Sequence, residues 1–351
     1  MLEEIVTPLV KWYRENKRIL PWRDKGNAYY TWVSEIMLQQ TRVEAVKPYF
    51  ERFITELPDV ESLADCPQEK LLKLWEGLGY YNRVRNMQEA AQTVKKEYNG
   101  RLPEDYQELL SLKGIGSYTA GAIASIAYGI NVPAVDGNVL RVISRITESA
   151  EDISRQAVRK KIEQQLQEIM PEECPGDFNQ ALMELGAVVC IPNGKAKCGE
   201  CPVASVCLAY RHDKVDSLPV KAPKKARMLE DRTVFIIQDG ECTAIRKRPE
   251  KGLLAGLYEL PNIQGHLKRE EALLYVEKMG LDPLYIEKLP PAKHIFSHIE
   301  WRMQAYRIKV SSLKKAQDRE LIFADKEQSG KQYAIPSAFG AYAKYIKEET
   351  R

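Results

Sequence analysis

The sequence predicts two domains of different class, an all-α body followed by a smaller α+β domain. Through the first two-thirds of the chain, apolar residues recur three and four positions apart, for example between residues 71 and 78, which is the spacing of a buried helix face. From Thr233-Val-Phe-Ile-Ile237 onward, β-branched and alternating segments replace that spacing. The change falls in a stretch rich in proline, lysine and aspartate that is typical of a linker. We therefore divide the chain into a body (1–212), a basic linker (213–231) and a second domain (232–351).

Breakers and caps divide the body into about ten expected helices joined by short loops. These residues are Asp59, Pro67, Gly100, Pro103, Pro133, Pro171 and Pro175. In the second domain, further strands are expected at 242–245, 257–260 and 303–310, with a helix from 270 to 279 between them.

Length and composition place the protein among ordinary globular proteins. A chain of 351 residues is long enough for two or three domains, each with its own core. Its 44% apolar and 29% charged residues exclude disordered and low-complexity classes. No apolar run approaches the roughly 20 residues of a membrane span, and the acidic N-terminus lacks the pattern of a signal peptide. We expect a cytoplasmic protein whose cysteines are reduced or metal-bound.

Charge is distributed unevenly along the chain. Residues 1–210 carry 25 basic and 29 acidic side chains, a net charge of −4, whereas residues 211–351 carry 27 and 20, a net charge of +7. Much of the excess lies in Lys221, Lys224, Lys225 and Arg227, a stretch without an acidic residue. This stretch is either a solvated linker or a strap that contacts the phosphates of a nucleic acid.

A glycine-containing turn stands between two helical patterns, at 106–110 and 118–128. Gly114 and Gly116 permit a tight turn and let backbone N–H groups approach an anion at the start of the second helix. A helix-hairpin-helix holds a DNA phosphate in this way, although a G-x-G pair alone is also typical of an ordinary interhelical turn. Asp136 follows in Pro133-Ala-Val-Asp-Gly-Asn-Val139, which places an acidic side chain on a turn close to the second helix.

Four of the seven cysteines lie within eighteen residues, in the pattern C-x7-C-x2-C-x5-C. They are Cys190, Cys198, Cys201 and Cys207. In a reducing compartment, four thiols at this density favour a metal site. Zinc ribbons supply two C-x2-C pairs and only one is present, so we favour a [4Fe–4S] cluster over a zinc ion or no metal. The remaining cysteines, Cys66, Cys174 and Cys242, are expected to be small buried side chains.

Together these motifs resemble the helix-hairpin-helix DNA glycosylases that carry a [4Fe–4S] cluster. The segments similar to the whole family are Leu112-Lys-Gly-Ile-Gly116, Val135-Asp-Gly-Asn-Val139 and the four cysteines. Three more segments resemble one branch of the family, the adenine DNA glycosylases (MutY). They are Leu20-Pro-Trp-Arg23, Ser34-Glu-Ile-Met-Leu-Gln-Gln-Thr41 and Gly77-Leu-Gly-Tyr-Tyr-Asn-Arg-Val-Arg85. The family hairpin usually reads L-P-G where this chain has Lys113, and the first cysteine spacing is usually six rather than seven. The resemblance implies a helix-hairpin-helix at about 106–128 and an iron–sulfur subdomain built from 1–20 and 137–212.

The resemblance also implies which residues perform the chemistry. Hydrolysis of an adenine N-glycosidic bond needs an acid for the departing base and an anion beside the cation-like sugar, and two carboxylates in different environments supply both. The acid falls on Glu35, whose apolar neighbours would raise its pKa, although helical periodicity is also consistent with a surface glutamate. The anion falls on Asp136, which by itself would more often be a helix N-cap. Asn138 is expected to orient groups near Asp136.

Tyr118 stands where the bifunctional endonuclease III branch carries a lysine whose amine attacks the sugar. A tyrosine cannot form a Schiff base, so the resemblance implies removal of the base without cleavage of the strand. We expect the phenol to take part in catalysis and to hydrogen-bond to Asp136.

Further contacts to the extruded base and to the duplex are implied by the same resemblance. The expected base-pocket residues are Trp22, Arg23, Leu38 and Gln180. The residues expected to contact DNA or the lesion are Gln40, Tyr80, Gly114, Gly116, Phe296, Ser297 and His298. Most of these are also consistent with ordinary core or surface positions.

Residues 232–351 resemble the Nudix-like domain attached to this branch, most clearly in Leu253-Leu-Ala-Gly-Leu-Tyr-Glu-Leu-Pro261. Residues 268–280 lack the paired downstream acids of the R-E-x-x-E-E metal cluster, which favours recognition over hydrolysis. In His294-Ile-Phe-Ser-His298, the Ser297 hydroxyl can accept from N7–H and donate to O8 of 8-oxoguanine. Apart from the family, this loop is also typical of a polar hairpin tip, and zinc binding by its two histidines lacks an evident third ligand.

The sequence therefore predicts a monomeric, monofunctional DNA glycosylase that removes adenine opposite 8-oxoguanine in duplex DNA, with no membrane partner. Two alternatives stay open. One is a bifunctional glycosylase and lyase for oxidised pyrimidines, which the absence of a lysine at position 118 disfavours. The other is a non-catalytic iron–sulfur protein that binds DNA.

Overall fold

The computed structural model describes residues 2–23, 26–223, 226–317 and 320–346. Two residues of the predicted strap, Lys224 and Lys225, lie outside the described residues. Contacts divide the chain into two compact units, each built from two stretches of sequence. The helical unit comprises Met1–Cys66 and Asn82–Pro223, and the sheet unit comprises Pro67–Tyr81 and Lys224–Arg351.

The helices of the first 223 residues are short and are joined by tight loops. Those in the described residues are α1 (Val6–Asn16), α2 (Ala28–Leu38), α3 (Val43–Glu56), α4 (Val60–Asp65), α5 (Gln68–Leu74), α6 (Asn82–Glu97), α7 (Tyr106–Ser111), α8 (Ser117–Tyr128), α9 (Gly137–Ile146), α10 (Gln156–Ile169), α11 (Pro175–Val188) and α12 (Leu208–Arg211). All except α5 belong to the helical unit. No helix in the described part of the chain is both long enough and apolar enough to cross a bilayer.

Two packing arrangements position the candidate site in the helical unit. Helix α1 shares one apolar core with α9, α10 and α11, through fully buried side chains such as Tyr13, Val139 and Phe178. Helices α2 and α8 pack together nearby and are apolar on most of their surface. A Cβ atom at Gly121 of α8 would lie 2.4 Å from the Pro133 carbonyl oxygen, so only glycine lets the chain before α9 rest on α8.

The sheet unit is a seven-stranded mixed sheet with short helices, as the sequence predicts for an α+β domain. Its elements in the described residues are β1 (Met228–Asp239), β2 (Cys242–Lys247), β3 (Tyr258–Glu259), β4 (Asn262–Gln264), α13 (Arg269–Lys278), β5 (Pro283–Ile295), β6 (Ile299–Val310), β7 (Leu321–Ala324) and α14 (Lys326–Lys331). The strand order is β3-β2-β1-β6-β5, with β4 on β1 and β7 on β2. Strands β1 and β6 run parallel, and β5 and β6 form an antiparallel hairpin.

The stretch Pro67–Tyr81, which contains α5, belongs to the sheet unit although the sequence predicts an unbroken body from 1 to 212. Lys73 Nζ donates to the carbonyl oxygens of Ser329 and Tyr333, at 3.2 and 2.9 Å. The Glu76 carboxylate accepts from the Ile335 N–H at 2.8 Å. These partners are 256 to 260 residues apart in sequence, and no local pattern encodes such contacts.

Candidate active site

A cleft of about 1010 Å³ opens in the helical unit. It gathers side chains from the loop before α2, from α2, α8, α9 and α11, and from the turn after α2. Its walls include Trp22, Arg23, Glu35, Leu38, Gln40, Tyr118, Asp136, Asn138 and Gln180. The structure thus brings together the residues assigned from the sequence to catalysis and to the base pocket.

Glu35 lies in the last turn of α2 and is only 7% exposed. Burial raises the pKa of its carboxyl to about 7, although the hydroxyl of Tyr118 donates to Glu35 Oε2 and opposes the rise, and the charge of Asp136 adds to it. A carboxyl with this pKa keeps its proton in about half of the molecules at neutral pH. Glu35 is therefore able to act as a general acid where an exposed glutamate would be ionised.

Tyr118, the second residue of α8, hydrogen-bonds to Glu35 and not to Asp136 as expected from the sequence. Its hydroxyl also lies 3.5 Å from Met183 Sδ. Burial and the two nearby carboxylates raise the pKa of this phenol well above its usual value. Tyr118 consequently stays a neutral donor, and the packing of α2 against α8 determines its partner.

Asp136 is the N-cap of α9 and also faces the cleft. Its Oδ1 accepts from the backbone N–H groups of Asn138 and Val139, both at 2.8 Å, and its Oδ2 accepts from Asn138 Nδ2 at 2.7 Å. Burial raises the pKa of Asp136, while these donors and the nearby Arg141 oppose the rise. Capping and the candidate catalytic role coexist, because the cap holds the carboxylate in one orientation.

The buried guanidinium group of Arg141 holds the side chain of Asn138 in place. Arg141, which is 5% exposed, donates to Asn138 Oδ1 and to the carbonyl oxygens of Gly186 and Cys190, all at 2.8 Å. A Cβ atom at Gly186 would lie 2.5 Å from the Cβ of Asn138, so glycine allows α11 to approach α9. The geometry of Asp136 therefore depends on α11 and on the loop that starts at Cys190.

Glu184 is a second buried carboxylate of the cleft, and the sequence analysis missed it. Burial opposes its ionisation, but hydrogen bonds from Arg18 and Arg23, each 2.6 Å long, outweigh burial and lower its pKa to about 2. Arg23 also donates to the Arg18 carbonyl oxygen and lies 5.5 Å from the ring centre of Tyr13. A lone acid among the otherwise apolar residues 181–189 was the available signal. Arg23 thus lines the cleft as the partner of a fixed anion.

The other expected pocket residues are held by ring packing and by hydrogen bonds to the backbone. Trp22 packs edge-on against Phe50, with ring centres 5.2 Å apart, and Gln180 Nε2 donates to the Gly176 carbonyl oxygen at 3.3 Å. Gln40 is exposed just beyond α2, and its φ of 62° lies in the left-handed region. Non-glycine residues in that region concentrate at functional sites.

The hairpin between α7 and α8 has the geometry expected from its glycines. Gly114 has a φ of 76°, and a Cβ atom there would lie 2.7 Å from the Cβ of Asn86. Gly116 is the N-cap of α8 and has no side chain to bond the first N–H groups of the helix. Those N–H groups are the donors that a DNA phosphate would require.

The predicted recognition loop is the tip of the β5–β6 hairpin in the sheet unit. Phe296 packs against Trp301, with ring centres 4.9 Å apart, and its N–H donates to the Ile299 carbonyl oxygen at 2.8 Å. Ser297 and His298 are exposed. The Tyr80 hydroxyl lies 3.3 Å from that of Ser297, and Tyr80 has a φ of 49°. Two residues 217 positions apart thus meet at one exposed site.

The four clustered cysteines line one cavity of the helical unit, with apolar neighbours such as Val142 and Leu185. Burial raises the pKa of the Cys201 thiol to about 12, and Arg145 Nη1 lies 3.2 Å from Cys190 Sγ. Among the residues that the structure describes, no three His, Cys, Asp or Glu side chains are grouped as one metal ion would require. Four thiols around one apolar cavity are the donor set that a [4Fe–4S] cluster uses.

Comparison with known proteins relates both units to characterised families. A model of the HhH-GPD superfamily base excision DNA repair proteins matches residues 33–170, and a NUDIX domain model matches 233–345. The chain is 35% identical over 300 residues to the adenine DNA glycosylase of Buchnera aphidicola subsp. Acyrthosiphon pisum, covering 85% of each. It is 34% identical over 358 residues to that of Mus musculus, covering 86% of this chain and 69% of the other.

Among solved structures, a thermostable thymine-DNA glycosylase is 27% identical, with a TM-score of 0.54, over 60% of this chain and 97% of that one. A non-covalent complex of endonuclease III with DNA, 23% identical with a TM-score of 0.52, shows the same fold over 60% of this chain and 96% of that one. The cleft residues from Glu35 to Asp136 and the Ser297 loop all lie within the ranges that the two family models match.

Proposed function

Because this chain belongs to the adenine DNA glycosylase family, we propose that it excises adenine paired with 8-oxoguanine in duplex DNA. One observation carries the proposal: two carboxylates with different partners, the buried Glu35 and the partly exposed Asp136, face one cleft. Glu35, with a pKa of about 7, can give up a proton, and Asp136 is held as an acceptor by three N–H donors. Pairs of this kind divide the acid and anion roles of glycosidic hydrolysis.

In the proposed reaction, the extruded adenine enters the cleft with its N7 towards Glu35. Glu35 transfers its proton to N7, and the C1′–N9 bond breaks with its electron pair leaving on the base. The Asp136 carboxylate stabilises the positive charge that develops at C1′. Water then attacks C1′ and returns a proton to Glu35, which leaves free adenine and an abasic site.

Tyr118 confines the proposed chemistry to base removal, and Glu184 fixes a wall of the cleft. Tyr118 presents a neutral phenol, and no amine stands at this position to form a Schiff base. Glu184 stays ionised between Arg18 and Arg23, so it fixes the wall of the cleft and does not compete as an acid. Because no Schiff base forms, the phosphodiester backbone is left intact.

Recognition of 8-oxoguanine is proposed for the loop in the sheet unit. The exposed Ser297 hydroxyl accepts from N7–H of the oxidised base and donates to its O8, whereas guanine offers neither an N7–H nor an O8. The adjacent Tyr80 hydroxyl restricts the orientation of that of Ser297, and Phe296 anchors the loop on Trp301.

We further propose that Cys190, Cys198, Cys201 and Cys207 hold a [4Fe–4S] cluster, on the ground that their thiols share one cavity. When bound, the cluster cross-links the loop from 190 to 207. Arg141 and Arg145 contact the backbone and the sulfur of Cys190, so the loop also supports α9. Metal and sulfide analysis of the purified protein tests this: four irons with labile sulfide support it, and one zinc per chain contradicts it.

The function is tested with a duplex that contains one adenine opposite 8-oxoguanine. We expect a strand break at adenine only after alkali, and we expect Glu35→Gln to abolish it. The same duplex with adenine opposite guanine should be cleaved more slowly, and Ser297→Ala should reduce that difference. A break without alkali would instead support the bifunctional lyase, and binding without any excision would support the non-catalytic DNA-binding protein.

A further inference from the structure

A second concave surface, of about 490 Å³, lies on the β5–β6 hairpin of the sheet unit, and we call it the hairpin groove. Its walls include His266, Lys288, Pro291, Lys293, Arg302 and Gln304. The register of the two strands shifts between Leu289 and Ala292, so the prolines between them bulge from the ladder. Such a bulge redirects the neighbouring side chains, here the two lysines.

Three cationic side chains line the hairpin groove, and the acidic residues near them make only long contacts. Lys293 and Arg302 are directly opposite each other in the antiparallel register, where like charges repel. Among the described residues, Lys288 and Lys293 form no ion pair, and Arg302 meets Glu300 only at 3.8 Å with half of its side chain exposed. Such an exposed pair contributes little.

The acidic groups near the hairpin groove are few. Besides Glu300, Asp231 of β1 is paired with Arg302 in the parallel register, and its carboxylate lies 3.9 Å from the imidazole of His266. His266 itself lies 3.1 Å from the Arg302 carbonyl oxygen, so its other contacts are to the backbone of β6. A bound anion would relieve the repulsion that these partners leave between the cations.

The hairpin groove and the Ser297 loop belong to the same pair of strands. Lys293 precedes Ser297 by four residues and Arg302 follows it by five, so at about 3.3 Å per residue both lie roughly 13–17 Å from the tip. One DNA strand places a phosphate about every 3.4 Å along the helix axis, so this distance corresponds to about four or five nucleotides. A duplex whose base is held at Ser297 is long enough to reach the groove.

We propose that the hairpin groove binds backbone phosphates of the DNA strand whose base the Ser297 loop reads. The choice of DNA as the anion rests on the proposed function. Ammonium and guanidinium groups are the usual donors to phosphate oxygens. Phosphate contacts carry no base information, so the groove fixes the position of the duplex on the sheet unit while Ser297 identifies the base.

The test compares two triple variants of the full chain, each made in a Glu35→Gln background so that DNA is bound without being cleaved. The groove variant is Lys288→Gln, Lys293→Gln and Arg302→Gln. The matched control is Lys278→Gln, Lys309→Gln and Lys314→Gln, which removes the same charge from exposed positions of the same unit. Equal thermal midpoints show that both variants are folded.

Binding of an 8-oxoguanine·adenine duplex is measured across a series of salt concentrations. Each phosphate contact contributes about 0.9 to the slope of log affinity against log salt, so the groove variant should lose about 2 to 3 and the control less than 1. At low salt we expect the groove variant to bind at least about tenfold more weakly. Equal slopes for the two variants would overturn the proposal.

Two further measurements separate this proposal from the proposed function and from another phosphate source. With Glu35 restored, the groove variant should need a higher enzyme concentration to reach half of its maximal single-turnover excision rate. No excision by the unmodified chain would defeat the proposed function, and the salt slopes would still test the groove. Inorganic triphosphate should bind the unmodified chain weakly. Tight triphosphate binding that the groove variant loses, without a change of DNA slope, would assign the groove to a free polyphosphate and contradict our proposal.

Discussion

At the residue scale, three carboxylates of the cleft differ in protonation because their partners differ. Glu35 and Glu184 are buried, and Asp136 is partly exposed. Glu35 has a phenol and apolar surroundings, Asp136 has N–H donors, and Glu184 has two arginines. Burial favours the neutral form of all three, and only the arginines overcome it completely at Glu184. One cleft thus holds a proton donor and a permanent anion within the same fold.

Replacing Glu35 by glutamine should stabilise the protein at neutral pH. The carboxyl has a pKa of about 7 in the folded chain and 4.5 in the unfolded one. Below pH 4.5 the carboxyl is neutral in both states and burial carries no charge penalty, whereas the free energy of unfolding falls as the pH rises from 4.5 to 7. We expect the free energy of unfolding of Glu35→Gln to exceed that of the unmodified chain by up to about 3 kcal/mol above pH 7. Thermal midpoints across this pH range check it, and a constant difference would contradict the burial of Glu35.

Replacing Tyr118 by phenylalanine should shift the pH dependence of excision. The phenol stabilises the charged form of Glu35, so its loss raises the pKa of Glu35 above about 7. The rate should therefore begin to fall at a higher pH in Tyr118→Phe than in the unmodified chain. Single-turnover rates measured as a function of pH test this, and an unshifted alkaline limb would show that another group limits the rate.

The sequence indicated the candidate catalytic residues better than their partners. Glu35 and Asp136 stand in recognisable motifs, and both line the cleft. The partner of Tyr118 depends on the rotation of α8 against α2, which no motif encodes. The ion pairs of Glu184 with Arg18 and Arg23 join residues 161 and 166 positions apart, and only tertiary packing shows them.

At the element scale, α9 connects the cleft with the cysteine loop. Its N-cap is Asp136, its first turn carries Asn138, and the next turns carry Arg141 and Arg145, which contact Cys190. The apolar spacing of this segment predicts a helix, and its start at the capping aspartate is the decisive local signal. A displacement of α9 would therefore affect both ends of this connection.

Replacing Gly186 by alanine should disturb α9 from the side of α11. The new Cβ would lie 2.5 Å from that of Asn138, so a helix has to shift, at a cost of about 1–3 kcal/mol. We expect a lower thermal midpoint and excision slowed on the order of tenfold to a hundredfold, since catalytic carboxylates tolerate little displacement. Gly330→Ala, where the added Cβ meets open space, is the control. Unchanged excision in Gly186→Ala would show that Asn138 does not position Asp136.

At the scale of the whole molecule, the chain enters the sheet unit twice. Pro67–Tyr81 joins that unit through Glu69, Lys73 and Glu76 long before Lys224 begins its second part. The sequence predicts both fold classes because hydrophobic periodicity is a local property. It does not predict that Pro67–Tyr81 joins the sheet unit, because the contacts of this segment are to residues far away in sequence. The interleaving also explains how Tyr80 and Ser297 come to share one site.

Truncation of the chain after residue 223 should loosen this excursion selectively. Without Tyr258, Ser329, Tyr333 and Ile335, the segment loses its hydrogen-bond partners. We expect faster amide hydrogen exchange in 67–81 and unchanged exchange in α2, α8 and α9. Mass spectrometry of the full and truncated chains measures this, and equal protection of 67–81 in both would show that the helical unit alone holds the segment.

The fifteen-residue excursion bears on how this architecture could be transplanted or acquired. A graft of residues 232–351 onto another glycosylase would carry the Ser297 loop. It would leave behind Tyr80, Lys73 and the carboxylates of Glu69 and Glu76, which contact the grafted part in this chain. One contiguous stretch of sequence therefore does not contain all the residues of the folded sheet unit. A recombinant enzyme that keeps this site therefore has to exchange two separate pieces of sequence, 67–81 and 224–351.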